Sequence, residues 1–170
     1  RPNYDIVFGS SACTKTGKVL SGDTHSLIKI DDGKYMVALC DGMGSGEHAH
    51  SVSDLTITLI ENFYKAGFDN DIILNSVNKL LSLNTDESFS ALDICVLDLR
   101  KNLMDFIKLG SPYTFIKHKF ETECISSSGL PIGVLEEMKP HITKKVFTDF
   151  DIIVMVSDGV MEAFGGGEEL

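Results

Sequence analysis

The chain has only two arginines, Arg1 and Arg100, among its 170 residues. Arginine forks are the usual side-chain clamps on phosphate, so an arginine-based anion site is not expected. Positive charge is scarce in general: the formal net charge is −10 with histidine neutral. The only basic clusters, Lys117-His118-Lys119 and Lys144-Lys145, read as solvated strand or loop faces. This argues against nucleic acid as a partner, because a phosphate backbone needs a Lys/Arg footprint. An acidic protein can still act on phosphate when a bound cation supplies the charge. None of the four cysteines has CxxC spacing, and none begins a CxxxxxR phosphatase signature. Cys13, Cys40, Cys95 and Cys124 therefore read as reduced, mostly buried thiols of a cytosolic compartment. There is no GxSxG nucleophile elbow and no P-loop lysine. The longest aliphatic run, Ile152 to Val156, is too short to cross a bilayer, and no signal peptide precedes the first strand. The expected setting is a cytoplasmic domain, with a membrane anchor in the parent protein left open.

What is present suits a folded domain: 43% of residues are apolar, enough for a core at this length. The chain starts at Arg1 rather than methionine and ends in a glycine-rich stretch soon after a strong strand. Residues 1–170 are therefore expected to be a single domain, lacking its C-terminal segment. Tyr4–Phe8 reads as a strand. Thr24–Ile30 and Lys34–Cys40 read as a hairpin about Asp31-Asp32-Gly33. The second of these strands, nearly all apolar, is expected to be buried on both faces. A glycine-rich loop, Gly42 to Gly46, leads into a helix from about Glu47 to Lys65, with Val52, Leu55, Leu59 and Phe63 as its buried stripe and Gly67 as its stop. Asp69-Asn70-Asp71 can cap a second helix over 71–83, with Ile73, Val77 and Leu81 inward. The rest is strand: Ala91–Leu99, Leu103–Leu109, Tyr113–His118, Glu121–Ser126, His141–Phe147 and a buried Asp151–Ser157, with Gly129 to Gly133 as a turn. Antiparallel strands with two adjacent helices make an α+β architecture.

Two of the strongest strands end alike, Tyr35–Cys40 in Asp41-Gly42 and Ile152–Ser157 in Asp158-Gly159. A carboxylate at the tip of a rigid strand is well placed but costly to leave unpaired. The adjacent glycine lets backbone or ligand approach. If these strands are neighbours, the two carboxylates converge and repel unless a cation lies between them. Hard oxygen ligands suit Mg²⁺ or Mn²⁺. Asp23, in Ser21-Gly22-Asp23, begins the hairpin, so a tight hairpin returns Asp41 to its side. Each aspartate alone also reads as a cap or turn residue. The Gly44-Ser45-Gly46 segment before the helix could admit a phosphate at free backbone N–H groups, or serve simply as a turn. His48 and His50 do not share a helix face, and His25 reads as a half-exposed strand residue. Asp93, in an otherwise apolar strand, is either a structural hydrogen-bonded carboxylate or a group supporting the metal ligands. Asp98 reads as a strand-end residue beside a turn.

Four separated motifs then agree. Ser21-Gly22-Asp23, the run Val37 to Ala49 that contains Asp41-Gly42-Met43-Gly44-Ser45-Gly46-Glu47, Gly129-Leu130-Pro131-Ile132-Gly133, and Val156-Ser157-Asp158-Gly159-Val160 together resemble the metal-dependent type 2C-like protein phosphatase family, in its bacterial sporulation and stress-response branch. The resemblance implies a four-layer α-β-β-α sandwich, two mainly antiparallel sheets flanked by helices. It implies two Mn²⁺ or Mg²⁺ ions, with Asp41 bridging both, the Gly42 carbonyl and Asp23 on one, and Asp158 on the other. Asp41 and Asp158 would be the catalytic pair, with Asp93, Ser157 and Gly159 in support. It implies hydrolysis of phosphoserine on a small anti-anti-sigma-factor-like protein by a metal-activated hydroxide. The helices at 47–65 and 71–83 would form a regulatory, homodimer-facing element, a plain buried helical pair being the rival reading. The family's further aspartate, from a D-D-x-T-type strand, is not found before Leu170. A catalytically incomplete partner-binding module of the same fold is therefore the alternative, and a nucleotidyl cyclase, which would need a purine-pocket lysine, is a third.

Overall fold

A computed structural model describes residues 4–13, 21–43, 46–83, 89–127, 129–135 and 138–163. In chain order the elements are β1 (Asp23–Asp31), β2 (Lys34–Gly42), α1 (Glu47–Lys65), α2 (Asn70–Ser82), β3 (Ser90–Asp98), β4 (Leu103–Leu109), β5 (Thr114–Lys117), β6 (Thr122–Ile125), β7 (Ile142–Val146), β8 (Ile152–Met155) and α3 (Asp158–Ala163). One antiparallel sheet has the order β1-β2-β3-β4-β7 and the other the order β6-β5-β8. Two antiparallel sheets flanked by helices is the architecture expected from the sequence.

Period-two alternation divides the large sheet into two working faces. Met36, Ala38 and Cys40 of β2, Leu92, Ile94 and Val96 of β3, and Ile107 and Leu109 of β4 pack beneath the helices. α1 supplies Val52, Ile57, Ile60 and Tyr64 to this layer, and α2 supplies Ile73, Leu74, Val77 and Leu81. The opposite face carries Cys95, Leu97, Met104 and Phe106, which meet Ile116 and Ile125 of the small sheet. Thus β2 and β3 serve two cores at once, which explains their nearly unbroken apolar runs.

Several sequence expectations need correction. Tyr4–Phe8 forms no strand: Tyr4 stacks edge-on against Phe147 at 5.1 Å while Val7 is fully exposed, so side-chain packing rather than backbone pairing holds the segment. The stripe of α1 is rotated from the one expected. Val52 is buried, but Leu55 is exposed and Leu59 and Phe63 only flank the core, while Ser53 and Thr56 are buried instead. The small hydroxyl residues allow α1 to sit close to β1, where Ser53 and Thr24 hydrogen-bond at 2.9 Å. β8 is not buried on both faces: it is an edge strand, and Ile152 and Val154 face outward. Of the four thiols, Cys40 and Cys95 are buried, but Cys13 and Cys124 are exposed. The two basic clusters are partly neutralised: Lys144 pairs with Asp105, Lys145 with Glu123 and His118 with Asp151. Among the described residues no helix is long and apolar enough to cross a membrane.

Candidate active site

The site is assembled at one end of the sandwich. The β1–β2 register sets Asp23 directly opposite Asp41, so both side chains leave the same face of the sheet. The tight turn at Gly33, whose φ is 86°, and the irregularity between Lys29 and Asp31 together set that register. Asp158 comes from the other sheet, at the first turn of α3 immediately after β8. β2 and β8 are therefore not neighbours in one sheet, contrary to the condition drawn from sequence. The convergence is achieved across the gap between the sheets. The carboxyl group of Asp41 lies within hydrogen-bonding reach of both Asp23 and Asp158.

The backbone around these carboxylates is closely packed. The Gly42 N–H donates to the Gly22 carbonyl at 3.3 Å. A Cβ on Gly42 would lie 1.9 Å from the Ala49 carbonyl oxygen, inside α1. Only glycine lets the first turns of α1 rest on the end of β2. A Cβ at Gly22 would lie 3.3 Å from both Asp41 Oδ1 and the Gly42 carbonyl oxygen, so these two oxygens gather over one small patch. Gly159 is different: a Cβ there would meet open space, so close packing does not explain that glycine. Ser157 Oγ donates to Asp23 Oδ2 at 2.8 Å, tying the strand that leads to Asp158 onto the first carboxylate. Ser53 Oγ donates to the Gly22 carbonyl at 2.6 Å and anchors the turn that carries Asp23. Gly46 is the N-cap of α1, with φ 80° and no side-chain cap. Gly44 and Ser45, the other residues proposed near a phosphate, lie outside the described residues.

The electrostatics follow from this crowding. Burial, followed by the negative charges of Asp23 and Asp158, pushes the Asp41 carboxyl up to about 7. Like charges at such close quarters repel unless a cation lies among them. Among the described residues, however, no three His, Cys, Asp or Glu side chains form a closed metal-binding cluster. The arrangement is two pairs sharing Asp41, with Asp41 as the middle member. The donor set consists of hard oxygens, and its repulsion is the kind a divalent cation relieves, so these residues fit Mg²⁺ or Mn²⁺.

Asp93 is fully buried on the same face as Asp41. Its Oδ2 accepts from Lys108 Nζ at 2.5 Å and from Thr114 Oγ1 at 2.5 Å, and Lys108 Nζ also donates to Thr114 Oγ1 at 2.8 Å. Burial pushes the Asp93 carboxyl up and the Lys108 ammonium down, while each partner's charge pulls the other way. Reasoning from sequence singled out Asp93 but missed Lys108, Thr114 and Ser53. Lys108 is a lone cation in the otherwise apolar end of β4. His48 is exposed, and neither it nor His50 belongs to a metal-binding group among the described residues.

Comparison with known proteins yields a consistent set of relatives. A family model for stage II sporulation protein E (SpoIIE) matches residues 31–170. Stage II sporulation protein E of Priestia megaterium is 38% identical over 160 residues, covering 94% of this chain and 27% of its own length. That of Bacillus subtilis (strain 168) is 35% identical over 161 residues, covering 94% of this chain and 20% of its own. This chain therefore spans about a quarter of the length of the curated relatives it matches. The solved PP2C phosphatase domain of SpoIIE from Bacillus subtilis, with a fragment of its regulatory domain, aligns with a TM-score of 0.78 at 37% identity, over 86% of this chain and 44% of that one. RsbX in complex with magnesium aligns with a TM-score of 0.73 at 21% identity, over 86% of this chain and 71% of that one, a likeness of fold alone.

Proposed function

The chain belongs to the stage II sporulation protein E family, and on that premise we propose that it is the catalytic portion of a metal-dependent protein serine/threonine phosphatase. One observation supports the reading: Asp41, paired with Asp23 across the hairpin, also comes within reach of Asp158 from beyond the other sheet. Asp41 and Asp158 would hold two Mn²⁺ or Mg²⁺ ions, with Asp23 and the Gly42 carbonyl completing the donors from this chain. Such ions, when bound, activate water at neutral pH and offset the negative charge of a phosphoryl group.

The chain's own residues prepare this chemistry. Asp41 is fixed by the β1–β2 register and by α1 lying against Gly42. Asp23 is held by the Ser157 hydroxyl and by the turn that Ser53 anchors. The backbone N–H groups at the start of α1, after Gly46, would receive phosphate oxygens. The described residues around the site hold no arginine clamp, which leaves charge neutralisation to the cations.

The substrate we assign is phosphoserine on a small anti-anti-sigma-factor-like protein during sporulation. The family supports this, and a 20% identical relative bears the name phosphoserine phosphatase RsbP. Residues 1–170 would act as a single domain, completed by a C-terminal segment, within a parent protein anchored in the cell membrane and working on its cytoplasmic side. A homodimer would form through α1 and α2, whose outward faces expose Leu55, Ile72 and Leu80. The test is Mn²⁺-dependent phosphate release from a phosphoserine protein by the parent chain, which Asp41→Ala and Asp158→Ala should abolish. Turnover retained in either folded variant contradicts the assignment. A second reading, a partner-binding module that lacks a complete metal set, is favoured by the open arrangement of the three carboxylates. It predicts no heat of Mn²⁺ binding in calorimetry.

A further inference from the structure

The Asp93–Lys108 pair is not needed to close the core. Buried ion pairs seldom add net stability over apolar residues of similar volume, and the strands around this one are apolar. Its position suggests another purpose. Asp93 and Lys108 are register partners on β3 and β4. Asp93 also faces Leu39, and Asp41 faces Ala91, so Asp93 and Asp41 are diagonal neighbours on the inter-sheet face. A small cavity lies between them, lined by Asp41, Asp93, Ser111 and Ser157 with Leu39 and Ala91.

The hydrogen bonds around Asp93 are lopsided. Oδ2 takes both donors, Lys108 and Thr114, whereas Oδ1 is buried and has no hydrogen-bond partner among the described residues. The Ser111 hydroxyl, 8% exposed and lining the same cavity, has none either. Buried polar atoms are rarely left without partners unless a purpose or a bound molecule accounts for them. Ser157, which also lines the cavity, is the residue that binds Asp23. The cavity therefore touches the supports of two of the three site carboxylates.

We propose that Asp93 is a positioning residue for Asp41. Lys108 and Thr114 lock its Oδ2, and its Oδ1, with Ser111, presents a fixed polar wall that confines the Asp41 carboxylate to one orientation through the shared cavity. This rests on the metal-site reading only for its consequence, tighter cation binding; the confinement itself is a property of the metal-free chain. Supporting groups of this kind commonly change metal affinity by about 10–100-fold.

The test uses Asp93→Leu combined with Lys108→Met, which removes both charges together and leaves no orphaned ion. The melting temperature should equal or exceed that of the parent sequence. In the metal-free chain, side-chain couplings measured by NMR should show one χ1 rotamer for Asp41 before substitution and averaging after it. Calorimetry should show the Mn²⁺ dissociation constant rising about 10–100-fold. Should the double variant not fold, Ser111→Ala, which removes the hydroxyl half of the same wall, is read by the same couplings, with the same expected averaging. An Asp41 rotamer that stays fixed in the folded variant overturns the proposal. Rotamer averaging in a chain that binds no Mn²⁺ before or after substitution supports the positioning role and overturns the metal reading instead.

Discussion

The two faces of β3 are built from the same strand and differ in kind. Toward the helices it presents Leu92, Ile94 and Val96, all apolar and closed over by α1 and α2. Toward the small sheet it presents Ala91, Asp93, Cys95 and Leu97, where an apolar stretch gives way to a buried carboxylate held by Lys108 and Thr114. The same division runs through β2, with Met36, Ala38 and Cys40 on one side and Tyr35, Val37, Leu39 and Asp41 on the other. On the helix face the Cys40 thiol is pushed up to about 12, mainly by burial and also by the charges of Asp41 and Asp23, with its hydrogen bonds to Ser90 and Thr56 pulling back. Apolar packing is present on both faces, whereas the acidic side chains gather at one end of the inter-sheet face, so each can be altered separately.

Substitutions at the reactive end should give the largest effect on turnover and a small one on folding. Asp41→Ala in the parent protein removes the central carboxylate. Loss of several kcal/mol of charge stabilisation corresponds to a fall on the order of 10³-fold in the rate of phosphate release. The helix and inter-sheet cores should behave the opposite way. Phe106→Ala should cost about 3–5 kcal/mol and Ile94→Ala about 2–5 kcal/mol in denaturant titrations, with Mn²⁺ affinity of the folded fraction unchanged. A core variant that loses Mn²⁺ binding while still folded would break the separation between the faces.

Gly42 lies where the two regions touch, so it sharpens the comparison. Gly42→Ala drives a methyl group into the Ala49 carbonyl, and relief by backbone movement should cost about 1–3 kcal/mol. It should also weaken Mn²⁺ binding, because α1 and the Asp41–Gly42 backbone move together. Loss of stability with full Mn²⁺ affinity would show that α1 is not coupled to the site.

The smallest expected effect is on pH dependence. The folded-state pKa of Asp41, about 7, lies above that of a free aspartate. Its protonation therefore favours the folded state, fully so below about pH 4, and this contribution is lost as pH rises through about 7. The carboxyl is only half buried, so solvent screening limits the effect to a few degrees of melting temperature. Scans of the metal-free chain should show melting fall between those pH values, and Asp41→Asn should flatten the dependence. A flat profile before substitution would mean that the three carboxylates do not share charge.

Much of the layout was legible in the sequence because its signals were local. The hairpin about Gly33 returned Asp41 to Asp23, and β1 and β2 run within a residue or two of the expected ends. Helix α1 spans Glu47–Lys65 as read, since its caps and length are set by nearby glycines. The stripe of α1 was not legible, because Ser53 and Thr56 are polar by type yet buried through hydrogen bonds to Gly22 and Val52. Nor was the route by which Asp158 reaches Asp41: strand order across two sheets depends on long-range pairing, which no local pattern encodes. Lys108 escaped notice for a related reason, since a lysine signals solvent until its partner on the adjoining strand is known. The exposure of β8 likewise follows from its place at a sheet edge rather than from its composition.

The most direct measurement is anomalous diffraction from crystals of the chain grown with Mn²⁺. The account predicts manganese peaks at bonding distance from carboxylate oxygens of Asp41 and Asp158, with Asp23 and the Gly42 carbonyl beside them. Manganese bound only elsewhere, or no peak at this end of the sandwich at saturating Mn²⁺, contradicts it.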